Sequence, residues 1–371
     1  MVNNQLKISE RIFGLDLMRA MAILMVLSSH VLWNYPQTNY LIVQILTLFG
    51  FWGVEIFFVL SGFLIGKILY NSFLKEDFTI KSVFYFLQRR WFRTLPTYFL
   101  VLIINVLIVY FLNVNANGML YYFFFLQNFH TTMLPFFPES WSLSVEEFAY
   151  LFTPFVLLLS TFFVTATNKS KKFLRVIIFL IGIFTLTKIV YYFNTPNTTL
   201  LQWNVSLKAV VIYRIDAILY GVLASWLSIN YSGIWSKLKY NLAFLSCILL
   251  VLMYVGVGYF RITIKEYPFF WNVLYLPFTS IIFLLFLPLL SQWKSTKKWI
   301  LIPVTFVSTV SYSVYLLHYS VILQLMREFF PPELYSISNL HSYTFIYLVI
   351  TFILSWFLYR FYEKPMTNLR K

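Results

Sequence analysis

Apolar runs long enough to cross a bilayer recur along the chain near residues 16–35, 50–70, 95–113, 145–165, 173–193, 209–228, 241–260, 273–290, 303–326 and 342–362. A helix needs about 20 such residues to cross a ~30 Å hydrocarbon core. The pattern predicts an all-α polytopic membrane protein of about ten transmembrane helices. Two stretches do not fit a span. Residues 78–93 mix aromatic residues with Lys81, Arg89, Arg90 and Arg93 and predict an interfacial helix. Residues 114–144 hold Tyr121–Phe125, then Pro135 and Pro138, and predict a re-entrant or surface segment on the outer side. No repeat or soluble domain is visible, so residues 10–365 read as a single membrane domain.

The loops give the direction of each helix. Lys7, Arg11, Lys67, Lys75, Lys81, Arg89, Arg90, Arg93, Lys169, Lys171, Lys172, Arg175, Lys237, Lys239, Lys294, Lys297, Lys298, Arg360, Lys364, Arg370 and Lys371 are 21 basic residues on one set of loops and ends. The alternate loops hold 4: Lys208, Arg261, Lys265 and Arg327. By the positive-inside rule both termini are cytoplasmic. Lys7 and Arg11 precede an apolar stretch, but Asp16 and Arg19 and its spanning length argue against a cleavable signal peptide.

Composition narrows the class. The 371 residues are 60% hydrophobic and only 11% charged, against about 25% in soluble domains. The net charge of +15 sits in loops between apolar spans, so lipid and topology account for it and nucleic acid is not expected as a partner. The one cysteine, Cys247, excludes an intrachain disulfide and a thiolate zinc site, and no metal is expected.

Against this background, ionisable residues inside spans are informative, because such groups usually face a bundle interior or wet cavity. Arg19 and His30 are eleven residues apart, three helical turns and roughly 16 Å along one face. With direction assigned, Arg19 falls at the cytoplasmic end and His30 in the outer half. Glu55, Glu146, Glu147, Arg214, Asp216 and His318 fall at depths similar to His30, which predicts a shared outer cavity of histidines, carboxylates and an arginine. Alternatives stand beside this. Arg214 and Asp216 could form a structural ion pair with each other, the adjacent glutamates could complement a helix dipole, and His318 could be a packed core histidine. Lys188 is expected to snorkel outward. Glu146 and Glu147 point about 100° apart, so one of them should face the cavity. On the cytoplasmic side Arg90 and Arg93 share a helix face and suit phosphate, or anchor anionic lipid. Ser61 and Gly62 allow close approach of another helix or of a thin ligand.

Taken in order, these motifs resemble the acyltransferase-3 family of integral membrane O-acyltransferases. The match runs from about residue 10 to the end. It comprises Arg19-x10-His30, Gly53-Val-Glu55-x-Phe-Phe-Val-Leu-Ser61-Gly62-Phe63, Arg90-x-x-Arg93-x-x-Pro96 and Trp141-Ser-Leu-x-Val-Glu146-Glu147-x-Phe. Arg214-x-Asp216 with Gly221, Ser311-Tyr-Ser-Val-Tyr315-Leu-Leu-His318 and Glu363-Lys364-Pro365 complete it. The chain departs in having Glu55 where Asp is frequent. It resembles stand-alone members, without the soluble esterase-like domain that many relatives carry.

The resemblance implies transfer of an acyl group, commonly acetyl, from cytoplasmic acyl-CoA to a hydroxyl of a surface polysaccharide, cell-wall or lipid-linked glycan. It implies no permanently bound cofactor, acyl-CoA as co-substrate, lipid and carbohydrate as partners, and a bacterial plasma membrane. His30 would act as general base, or as an acyl carrier. Glu146 or Glu147 would orient His30. Arg90 and Arg93 would hold the donor's phosphates, Ser61 and Gly62 its pantetheine arm, and Arg19 the arm or the fold. Arg214, Asp216, Tyr315 and His318 would bind the sugar or stabilise the oxyanion. Acylation of a small-molecule glycoside, and a non-enzymatic carrier of polysaccharide or lipid-linked sugar, remain the alternatives. The residues do not name the acceptor, the acyl length or the oligomeric state.

Overall fold

A computed structural model describes residues 11–36, 41–113, 117–163, 168–196, 199–260 and 262–370. Lys7, Arg261 and Lys371, counted above among the loop charges, lie outside them. The described chain is a bundle of ten principal helices: α1 (Phe13–Val31), α2 (Leu41–Phe73), α3 (Ile80–Phe111), α4 (Trp141–Phe163), α5 (Lys169–Asn194), α6 (Ile215–Asn230), α7 (Lys239–Gly258), α8 (Phe270–Leu290), α9 (Lys298–Phe329) and α10 (Ile337–Asn368). Among the described residues nine helices are long and apolar enough to cross a membrane. The expected span at 209–228 is the exception. Its helix, α6, has 16 residues, because Val211–Tyr213 forms a separate tight turn before it.

The expected interfacial helix is not separate. Residues 80–111 form one 32-residue helix, α3, started by a capping box between Thr79 and Ser82 and continuous through Pro96. The proline removes one backbone donor but does not end the helix. The basic stretch is therefore the first half of a long helix, which carries Arg90 and Arg93 against the bundle. Of the 114–144 segment, residues 117–137 form no spanning helix: past Met119–Phe123 they run as loop to Pro138–Ser140, and Trp141–Ser144 already belong to α4. Asn128 pins that loop, donating to the carbonyls of Trp141 (3.0 Å) and Ala209 (2.6 Å).

Helices α1, α2 and α6 form the centre. Gly62 and Gly66 of α2 face Gly221 and Ser225 of α6, and a Cβ at Gly62 would overlap the Ile218 carbonyl oxygen. Small residues let these backbones meet without side chains between them. Two buried ion pairs tie the same layer together. Arg214 pairs with Glu55 of α2, which also accepts from Ser280 of α8 at 2.9 Å. Lys188 of α5 pairs with Asp216. Lys188 thus does not snorkel outward; it is fully buried. Arg214 and Asp216 do not pair with each other, because positions two apart at a helix start point to different sides.

Candidate active site

Two cavities lie along α1, one at each polar residue of its shared face. The smaller, about 130 Å³, is lined by Arg19, Arg90 and Arg93, with Ser61, Glu146 and Tyr150 opposite. Arg19 reaches Ser308 Oγ at 3.4 Å and lies 3.6 Å from Asp16, which also pairs with Arg11 at 3.0 Å. Tyr150 donates to Glu146 Oε2 at 3.0 Å and makes a short hydrogen bond with Ser61. The Arg90 guanidinium lies over the Tyr150 ring, 5.8 Å from its centre. Among the described residues neither Arg90 nor Arg93 has an ion pair within 4 Å. Two planar forks of N–H donors are therefore free for an anionic ligand, the geometry that phosphate prefers.

The larger cavity, about 440 Å³, holds His30 and His318. Trp33, Trp141, Trp203 and Trp271 line it with Glu139 and Lys208. His318 Nε2 lies 3.2 Å from His30 Nδ1. His30 Nδ1 is also 3.0 Å from the Val26 carbonyl, and His318 Nδ1 is 2.8 Å from that of Tyr315. A carbonyl only accepts, so both Nδ1 atoms carry hydrogen in the neutral rings. This assignment rests on the hydrogen-bond network. It leaves His30 Nε2 with a lone pair and no partner among the described residues. Glu139 is 5% exposed. Its Oε1 accepts from the Ser320 amide (3.0 Å) and hydroxyl (2.7 Å), while its Oε2 has no partner among the described residues.

Val54 and Tyr315 line both cavities. Tyr315 is held by donating to the Glu139 carbonyl at 3.0 Å and by a 2.6 Å hydrogen bond with Ser142. A pocket with two free guanidiniums and an imidazole base, with Val54 and Tyr315 between them, has the chemistry to take an anionic ligand on one side and a hydroxyl on the other.

Residues 12–360 match the acyltransferase domain family. The chain belongs to that family. The acyltransferase chain is 27% identical over 388 residues to YrhL of Bacillus subtilis (strain 168), a candidate peptidoglycan O-acetyltransferase by name. It is 24% identical over 376 residues to the peptidoglycan O-acetyltransferase OatA of Listeria monocytogenes serovar 1/2a (strain ATCC BAA-679 / EGD-e). Each alignment covers 95% of this chain, but 54% and 55% of the relatives, so the acyltransferase chain spans about half their length. No solved structure matches it.

The acyltransferase fold groups the expected site residues differently from the sequence. It brings His30 and His318 together in one cavity and Arg19, Ser61, Arg90 and Arg93 together in the other, but Glu55, Glu146, Glu147, Arg214 and Asp216, expected beside His30, do not line the histidine cavity. Glu146 joins the arginines and Glu147 accepts from Thr94 at 2.8 Å, so neither glutamate contacts His30. Only Glu146 lines a cavity, as the 100° offset requires. Arg214, Asp216 and Glu55 line neither cavity; their charges are spent on interhelical pairs within the core. Gly62 packs against α6 and not against a ligand path. Glu139, Lys208 and Tyr150 went unnoticed in the sequence. Lys208 left one trace there, as a basic residue in the poorly charged set of loops. Among the described residues no cluster of His, Cys, Asp or Glu could hold a metal ion.

Proposed function

We propose that this acyltransferase moves an acyl group, acetyl in the first instance, from acyl-CoA to a hydroxyl of a cell-wall glycan. The observation that carries this reading is His30 Nε2, a bare base in a cavity separated from the free guanidiniums of Arg90 and Arg93 by the Tyr315 layer. The donor's phosphates rest on Arg90 and Arg93, with Arg19 and Ser61 beside the arm. The rise along α1 from Arg19 to His30 is roughly 16 Å, three helical turns. An arm of roughly 15–20 Å covers that rise, about half of a ~30 Å core. The loop charges support a donor entering from the cytoplasm and an acceptor from the opposite face.

In the direct route His30 Nε2 takes the proton of the acceptor hydroxyl as its oxygen attacks the thioester carbonyl, and coenzyme A thiolate leaves. In the covalent route Nε2 itself attacks the thioester carbonyl and coenzyme A thiolate leaves; the acceptor oxygen then displaces the imidazole, and the hydroxyl proton passes to the freed Nε2. In both, the hydrogen bond from His30 Nδ1 to the Val26 carbonyl steadies the imidazolium. The names of the two relatives support a peptidoglycan-type acceptor.

The test is transfer from labelled acetyl-CoA in membranes carrying the protein. Release of free coenzyme A that depends on His30 is expected; a carrier of glycans releases none. Undiminished acylation by a normally expressed His30→Ala variant sinks the assignment.

A further inference from the structure

One cation lining the larger cavity has no ion-pair partner among the described residues. Lys208 closes the short turn Asn204–Lys208, and its ammonium lies 5.4 Å from the Trp141 ring centre and 5.8 Å from that of Phe51. Among the described residues it makes no hydrogen bond and no ion pair. Lys188, fully buried in the bundle, is by contrast matched by Asp216. Aromatic faces attract an ammonium but do not replace a hydrogen-bonded anion. Burial pulls the Lys208 pKa down to about 8, so the side chain stays charged at neutral pH while bearing a desolvation cost that an anion would relieve. The donor's phosphates are met by the arginines on the other side of Tyr315, so they leave Lys208 unoccupied.

We propose that Lys208 anchors an acidic group of the acceptor, so that the molecule in the histidine cavity is a sugar bearing a carboxylate or phosphate near the hydroxyl that is acylated. The cavity is polarised for this. Glu139 lines the same cavity and its carboxylate repels an acid, while Lys208 attracts it. The two groups together orient a ring stacked on the tryptophan wall, with one hydroxyl turned to His30 Nε2. The role of that hydroxyl rests on the acyl-transfer reading; the affinity for acidic sugars does not.

The experiment is therefore a binding one. The full chain in phosphatidylcholine nanodiscs is titrated with methyl glucoside, methyl glucuronide and glucose 6-phosphate, read by quenching of the cavity tryptophans. At pH 7 at least one acidic probe is expected to bind tenfold or more tightly than methyl glucoside, and which one does so separates carboxylate from phosphate. That ratio should collapse toward one in Lys208→Gln and persist in Lys208→Arg.

The wild-type ratio should also collapse between pH 7 and 9.5. His30, Glu139, His318, Tyr275, Tyr315 and Tyr319 face the same cavity. Glu139 shares the cavity, so this arm is run beside Lys208→Arg, whose guanidinium stays charged through the window and should keep the ratio where the wild type loses it near pH 8. Equal binding of all probes, binding of none, or a preference that survives Lys208→Gln or pH 9.5 overturns the proposal. So does a preference erased by adding phosphatidylglycerol, which assigns Lys208 to a lipid headgroup. Failed acyl transfer with the preference intact tells instead against the enzymatic reading.

Discussion

His318 Nε2 lies 3.2 Å from His30 Nδ1, with the rings 4.8 Å apart and inclined at 66°. The contact uses the nitrogen of His30 that already faces the Val26 carbonyl, and so frees the other for chemistry. His318 is on this geometry a positioning residue, and His30 the base. His30→Ala should lower transfer by about 10²–10⁴-fold, the range for loss of a general base. His318→Gln keeps an oxygen that can accept from His30 Nδ1–H and should retain more activity than His318→Ala. Transfer from labelled acetyl-CoA, normalised to protein in the membrane, checks the order. Equal loss in His30→Ala and His318→Ala with His318→Gln dead would make His318 the base.

Arg90 and Arg93 bear on the donor alone. A hydrogen bond to a charged group contributes about 1.5–3 kcal/mol, roughly 10–100-fold in an equilibrium constant. Each Arg→Ala change should raise the apparent donor KM by that factor, with kcat at saturating donor nearly unchanged. Replacement by Lys, which keeps charge but loses the fork, should fall between. A change in insertion with an unaltered KM would mark these residues as lipid anchors.

Hydropathy and loop charge were enough to find the helices, because crossing hydrocarbon dictates length and composition directly. They were also enough to pick Arg19, His30, Arg90, Arg93 and His318, which line the cavities. Depth along a helix did not decide partners. Glu146 and His30 come from spans of opposite direction and similar estimated depth, yet Glu146 turns to the arginine side. Arg214 and Asp216 read as a site because intramembrane charge is costly, but the same cost is met by Glu55 and Lys188. Which face of a helix meets which neighbour is set by packing such as Gly62 on Gly221, and spacing alone carries no trace of it. Glu139 sits at the turn before α4, where a carboxylate reads as ordinary loop polarity until Ser320 folds over it.

Those buried pairs give a stability prediction. Removing one partner leaves an uncompensated charge and costs about 3–5 kcal/mol, whereas replacing both by apolar residues is often near neutral. Glu55→Leu and Arg214→Met should each lower the unfolding temperature in detergent markedly, and the double variant should recover most of the loss. The donor KM of the double variant should match the wild type, since neither residue lines a cavity. A raised KM in the recovered double variant would return Arg214 to the site.

Tyr315 separates the two cavities, and its two hydrogen bonds, to Ser142 and to the Glu139 carbonyl, hold it there. The barrier has a chemical use. A thioester that reached His30 with no acceptor present would meet any water in the larger cavity, and the same base that activates a sugar hydroxyl would activate water. Tyr315→Phe keeps the ring but loses both hydrogen bonds, so the layer stays closed and loosens. Tyr315→Ala removes the ring and joins the cavities. The Ala variant should therefore release free coenzyme A from acetyl-CoA without acceptor faster than the wild type, while transferring less acetyl to glycan. The Phe variant should show a smaller change of the same sign. Combining Tyr315→Ala with His30→Ala should abolish the extra hydrolysis, because it needs the base. Hydrolysis that persists in the double variant would show that water is activated elsewhere and that Tyr315 is only a packing residue.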